Sequence, residues 1–199
     1  MPVDMKAVIS SAFVNMVKQK GIDKVTVKAL IDACHISRQT FYYHFQDLME
    51  VIEWSLERAA KQKLAQSLEA DTPEEALAAL FSSAFENRTL ILRLLDSQRR
   101  EQIEKLFVQA ARTYLRELVR NRHCGLPLDC AGAEVALDFC AFGMVGLLFQ
   151  YCAQGRTDAA NLAAQICRLL PKRAEPEKMT RCSPRRVIFC GFAPFYFSS

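Results

Sequence analysis

From Ser37 to Phe45 the chain reads Ser-Arg-Gln-Thr-Phe-Tyr-Tyr-His-Phe, long polar side chains interleaved with two phenylalanines four residues apart. On a helix Phe41 and Phe45 share one face and turn inward, leaving Arg38, Gln39, Thr40 and Tyr43 outward near its start. Those side chains carry the multiple, geometrically fixed donors and acceptors that match base-pair edges in a DNA major groove. Tyr42 and His44, at the border of that face, can donate hydrogen bonds to phosphate oxygens. Thr26 and Lys28 supply a hydroxyl and a cation at the start of the preceding helical pattern, where unpaired backbone N–H groups also favour an anion.

Such a reading helix needs a brace and a short turn, and the flanking sequence provides both. Apolar residues recur at Val8, Ile9, Ala12, Phe13, Met16 and Val17, and that first helix stops at Lys20-Gly21. Thr26 can cap a second, short helix with Val27, Leu30, Ile31 and Cys34 on its inner face. A tight Cys34-His35-Ile36 connection follows, and Ser37 is a good N-cap for the third helix. The three together have the pattern of a helix-turn-helix. Asp47 with Glu50 forms a capping box for a fourth helix, whose stripe of Leu48, Val51, Ile52, Leu56, Ala59 and Leu64 is long enough to link two domains.

The remainder is also helical, so the expected fold class is all-α. Thr72-Pro73-Glu74-Glu75 opens a helix with Leu77, Leu80, Phe81, Ala84 and Phe85 inward. A short helix around Leu90 to Leu95 precedes a longer one carrying Ile103, Leu106, Phe107, Ala110, Tyr114, Leu115 and Leu118. Gly125-Leu126-Pro127 breaks the chain, Asp129 caps the next helix, and residues 130–153 are apolar nearly all round. A helix without a polar face must be covered on every side, and a second copy of the chain is the expected cover. Gly143 and Gly146 would let backbones approach closely there. The last helix, 157–170, takes Thr157 as its cap and ends at Pro171, with Leu162, Ile166, Leu169 and Leu170 inward.

Residues 5–52 closely resemble the DNA-binding domain of the TetR (tetracycline repressor) family. The likeness rests on the first helix, on Val25-Thr26, on Ile36-Ser37 and on Thr40-Phe41-Tyr42-Tyr43-His44-Phe45. The resemblance implies an all-helical two-fold dimer, with an N-terminal three-helix helix-turn-helix domain joined by a linking helix to a ligand-sensing and dimerising domain. Carried over position by position, it gives phosphates to Thr26, Lys28, Tyr42 and His44, and bases to Arg38, Gln39, Thr40 and Tyr43. Two positions depart from the family pattern: His35 stands where glycine is usual in the turn, and Leu48 where a phosphate-binding lysine is usual.

The second half looks like the family's dimerising helix pair, particularly in the subgroup resembling regulators of dihydroxyacetone kinase operons. In that subgroup a protein partner can replace the small-molecule effector. The expected dimer interface comprises Phe139, Phe142, Gly143, Gly146, Leu147, Leu162 and Ile166. Candidates for lining a ligand cavity are Phe81, Phe85, Leu92, Phe107, Tyr114 and Phe142, although plain helical core explains them as well. The expected division is 1–46 for the DNA-binding domain, 47–171 for the regulatory domain and 172–199 for a basic, aromatic tail. The expected function is a DNA-binding transcriptional regulator, a repressor on a palindromic operator controlled by a ligand at the C-terminal domain, with double-stranded DNA, a second copy of the chain and an unidentified small-molecule effector or protein as partners. The alternative is a co-regulator whose C-terminal domain binds a protein.

Bulk properties limit the other classes. The net charge of +4 resides entirely in residues 172–186, which hold six basic residues against two acidic ones, so global charge does not argue for DNA binding. No run of about twenty uncharged apolar residues is present, and Phe139–Phe149 is too short to span a bilayer, so no membrane span is expected and a cytoplasmic location follows. The eight cysteines contain no C-x-x-C pair, and Cys34, Cys130, Cys140, Cys152 and Cys167 fall on apolar helical faces. His123-Cys124 with Cys130 lacks a fourth metal ligand at useful spacing, so neither metal nor cofactor is expected. With no nucleophile elbow, phosphate loop or His/carboxylate cluster, an enzyme is not expected either.

Overall fold

A computed structural model describes residues 4–121 and 132–169 of the chain. Its elements are α1 (Met5–Lys20), a 3-10 turn (Ile22–Lys24), α2 (Val27–Cys34), α3 (Arg38–His44), α4 (Leu48–Glu69), α5 (Pro73–Glu86), α6 (Arg88–Leu95), α7 (Arg100–Asn121), α8 (Ala133–Gln154) and α9 (Ala159–Leu169). No strand occurs among the described residues, in keeping with the all-α expectation. The expected break at Gly125-Leu126-Pro127, the Asp129 cap, His123, Cys124, Cys130 and the tail from 172 lie outside the described residues.

Side-chain caps set the helix starts. Thr26 accepts from Ala29 N–H, Ser37 from Thr40 N–H, Asp47 from Glu50 N–H, and Thr72 from Glu75 N–H within a complete capping box. Around α4 the box is displaced: the Glu50 carboxylate accepts from Gln46 N–H, one residue before the cap. The last helix is capped by Asp158, which accepts from Asn161 N–H, and not by the expected Thr157. At α1 the Ala7 N–H and the Arg58 guanidinium hold the Asp4 carboxyl below its ordinary range. The pairing therefore persists at neutral pH and is lost only as pH falls below the usual carboxylate range.

The turn between α2 and α3 is built on a left-handed residue. His35 has φ 52° and ψ 42°, and among the described residues no other non-glycine has a positive φ. That conformation lets His35 N–H donate to Asp32 C=O and Ile36 N–H to Ile31 C=O, closing α2. A left-handed L-residue costs about 1–2 kcal/mol, and glycine loses roughly 0.4–1 kcal/mol of that advantage through its freer unfolded chain. His35→Gly is expected to gain about 0.5–1 kcal/mol, raising the Tm in a thermal melt by about 2 °C.

Two apolar clusters hold the chain together. One gathers Ile9, Phe13 and Val17 of α1, Leu30 and Ile31 of α2, Phe41 and Phe45, and Val51 and Ile52 of α4. It also takes in Leu94 from α6 and Ile103 from α7. The other joins Leu77, Phe81 and Phe85 of α5, Ile91 and Leu95 of α6, Met144, Tyr151 and Cys152 of α8, and Leu162 and Ala163 of α9. Helix α6 thus sits in both, and α5 packs chiefly on α9 while α7 lies between α4 and α8. Burial pushes the Cys34, Cys140, Cys152 and Cys167 thiols up, as suits cysteines acting as small hydrophobes.

Helix α8 differs from its expectation in one respect. Over Glu134–Gln154 it is long and apolar enough to cross a membrane by length and composition, its few charged residues notwithstanding. Leu137, Ala141, Met144, Val145, Tyr151 and Cys152 are buried within the chain, whereas Val135, Phe139 and Phe142 stand exposed. Its apolar surface is therefore two faces, one already covered by the bundle and one not.

Candidate nucleic-acid interface

Phe41 on the inner face of α3 and Phe45, the extended residue that ends it, are both fully buried. Phe45 meets the Trp54 ring edge-on at 6.0 Å, and the Lys6 ammonium lies 5.0 Å from the centre of the Phe45 ring. The opposite arc carries Arg38, Gln39, Tyr42 and Tyr43, all exposed; at 83% Tyr43 projects furthest. At about 100° per residue these four fall within roughly 140° of one another, a width that fits one groove. Among the described residues neither Arg38 nor Lys28 forms an ion pair, so neither cation has to leave a protein partner to meet DNA.

The remaining expected contacts are placed less evenly. Thr40 is half-buried and its hydroxyl lies 2.8 Å from Ser37 Oγ, so it completes the cap more than it extends the reading face. His44 is half-buried with its ring edge-on to Tyr43 at 4.9 Å. Thr26 and Lys28 are exposed at the start of α2, the Thr26 hydroxyl also accepting from Ala29 N–H at 3.1 Å. Leu48, where lysine is usual, is 7% exposed and belongs to the core beneath α3. That position packs and offers no cation.

In the second half, Phe81, Phe107 and Tyr114 line a cavity of about 340 Å³. Leu92 and Phe142 line a different, open groove of about 1220 Å³ between α6, α7 and α8. Phe85 lines neither; it stacks between Phe81 and Tyr151 at centroid distances of 6.1 and 6.2 Å. The six candidates thus do not form one ligand site. Of the expected dimer residues, Phe139 (79% exposed) and Phe142 (63%) face outward, and a Cβ on Gly143 or Gly146 would meet nothing within 4 Å. Leu162 is only 2% exposed, spent on the cluster beneath α5 in its own chain, and half-buried Leu147 and Ile166 pack against that cluster too. Leu162 has no surface left for a second copy.

The family described as "Bacterial regulatory proteins, tetR family" matches residues 9–50, and the "Transcriptional regulator C-terminal region" matches residues 71–172, just over half of the chain. The chain belongs to the TetR family. As a TetR-family protein it is a DNA-binding transcriptional regulator, with α2 and α3 as its helix-turn-helix. Solved structures agree on the fold. The dihydroxyacetone kinase operon activator DhaS is 16% identical with a TM-score of 0.58, over 83% of this chain and 93% of DhaS. Reduced NemR from E. coli is 13% identical at a TM-score of 0.53, over 86% of this chain and all of NemR. The fatty acid degradation regulator FadR from Bacillus halodurans is 15% identical at 0.51, over 82% and 96% of the two chains. Comparison with curated proteins finds no match.

What the sequence did not mark is the set of polar contacts that tie the reading unit to the rest of this TetR-family chain. Lys18 Nζ donates to Asn87 Oδ1, Gln98 N–H to Asp23, and Ser10 and Ser55 pair their hydroxyls at 2.7 Å. Partners 45 to 75 residues apart leave no local pattern to read.

Proposed function

We propose that this chain is a cytoplasmic, homodimeric repressor that binds a palindromic operator and changes its DNA affinity when a ligand occupies the C-terminal domain. On this reading residues 1–46 form the DNA-reading domain and 47–171 the regulatory and dimerising domain. The observation that carries it is the outward arc of α3, with Arg38, Gln39 and Tyr43 exposed on a capped helix anchored by two buried phenylalanines. Lys28 and Thr26 hold phosphates at the start of α2, and Tyr42 and His44 do so at the border of α3. The uncovered face of α8, Phe139, Phe142, Gly143 and Gly146, supports a second copy as cover. Two-fold symmetry would set the reading helices about 34 Å apart, or a multiple of it.

The test is a salt titration of binding to the gene's own upstream DNA, by fluorescence anisotropy, against random DNA of equal length. A specific site bound about a thousandfold or more tighter, with affinity falling steeply as salt rises, is the expected result. Equal affinity for both DNAs would remove the operator claim.

A second reading is favoured by the open groove between α6, α7 and α8. Most of its rim charges are already paired, Arg100 with Glu104, Lys105 with Glu101, and Arg112 with Asp138, over a floor of Val145 and Phe149. Such a broad surface suits a protein partner that switches the regulator, including by activation. A stable co-purifying protein that changes operator affinity would select this reading.

A further inference from the structure

Resting on the reading that a ligand controls this regulator, we propose that the effector is an uncharged, two-ring-sized apolar molecule carrying one hydroxyl, bound against the DNA-reading domain's own helix α1. The cavity of about 340 Å³ has Ser10, Phe13 and Val14 of α1 on one side. Ala59 of α4, Ala84 of α5 and Ala110 of α7 are among the small residues that leave the space open on the others. An apolar cavity of about 150 Å³ stays dry and takes benzene, so one about twice that size suits two fused rings.

The polar groups on its wall decide the charge and the handle. Asn87 accepts from Lys18 Nζ at 3.1 Å and donates one amide hydrogen to Ser83 C=O at 3.0 Å, and the half-buried Ser83 hydroxyl also lies on this wall. The Tyr114 hydroxyl lies 2.7 Å from Ser67 Oγ. Lys63, the one charged side chain on the wall, donates to Gln66 Oε1. The two ammoniums beside the cavity, Lys63 and Lys18, are held by neutral amides in exposed or half-buried contacts and neither is a buried counter-charge, so a charge placed deep in the apolar interior would be desolvated, which favours an uncharged effector. The serine pair is different. Ser55 donates its single hydroxyl hydrogen to Val51 C=O, so Ser10 is the donor in the 2.7 Å Ser10–Ser55 contact. Ser10 Oγ keeps its acceptor lone pairs beside the cavity, and the group that satisfies them is a donor such as an O–H.

Because Ser10 belongs to α1, occupancy is read directly by the domain that carries α3. The test is isothermal titration of the full-length protein with 1-naphthol, naphthalene, 1-methoxynaphthalene and 1-naphthoate. The expected result is one site per chain, with 1-naphthol tightest and 1-naphthoate at least about tenfold weaker. Ser10→Ala is expected to weaken 1-naphthol about threefold to tenfold and to leave naphthalene unchanged, which also certifies the fold of the variant. Ala110→Phe, or Ala84→Leu should the first not fold, fills the cavity and is expected to abolish binding of all the probes. Absence of naphthol binding to the wild type, binding that survives the filled cavity, or naphthoate binding as tightly as naphthol would each overturn the proposal. If 1-naphthol binds with the Ser10 dependence but leaves operator affinity unchanged, the site stands and ligand control falls. An effector that alters operator affinity equally well in the filled variant would do the reverse.

Discussion

Arg38→Ala is expected to cost about 1–3 kcal/mol per half-site on the preferred operator and almost nothing on random DNA. Arg38 opens α3 on the exposed arc with no ion pair, so its guanidinium is available for a bidentate contact to a base edge. In a homodimer the substitution acts in both half-sites, and the loss doubles. The signature is selective: the ratio of specific to random affinity collapses while the salt dependence barely changes. Lys28→Ala should do the opposite. A lost phosphate contact weakens all sequences alike and lowers the salt slope by about 1 for each contact removed. Binding isotherms at several salt concentrations on both DNAs distinguish the two. An Arg38→Ala protein with unchanged affinity and unchanged preference would show that the reading face lies elsewhere.

If α8 carries the proposed dimer interface, Phe139→Glu is expected to give a folded monomer that no longer holds a full operator. Phe139 is exposed in the single chain, so the charge costs the protomer little, whereas at a helix–helix interface it would be buried without a partner. The adjacent glycines sharpen the argument. A mid-helix glycine costs about 1 kcal/mol against alanine, and at Gly143 and Gly146 nothing in the chain requires the missing Cβ. If a partner backbone fills that space, Gly146→Leu should dissociate the dimer while raising the helix stability of the protomer. Light scattering coupled to size-exclusion chromatography reads the mass, and circular dichroism confirms the fold. Variants that remain dimers would place the interface on another face.

The reading unit was legible because its information is local. Caps, the Phe41–Phe45 spacing and the glycine-less turn are all statements about neighbours within four residues, and each has a physical counterpart in α1 to α4. The C-terminal half was legible only as helices. Phe81, Phe85 and Phe142 share the same apolar character in the sequence, yet one faces a cavity, one stacks on Tyr151 and one faces outward. Which way an apolar residue turns depends on helices far along the chain. Leu162 carries the same lesson: its periodicity gave a buried face but not whether that face meets α5 or a second copy.

Helix α6 places Leu94 in the core of the reading unit and Ile91 and Leu95 in the core of the C-terminal half. One short helix therefore serves both, and a head cut away at the end of α3 or α4 would leave behind part of its own interior. For anyone grafting this reading head onto a foreign sensor, the transplantable unit is not a contiguous stretch of sequence. A working chimaera would have to carry α6 and the start of α7, or supply side chains shaped like Leu94 and Ile103, along with the first four helices.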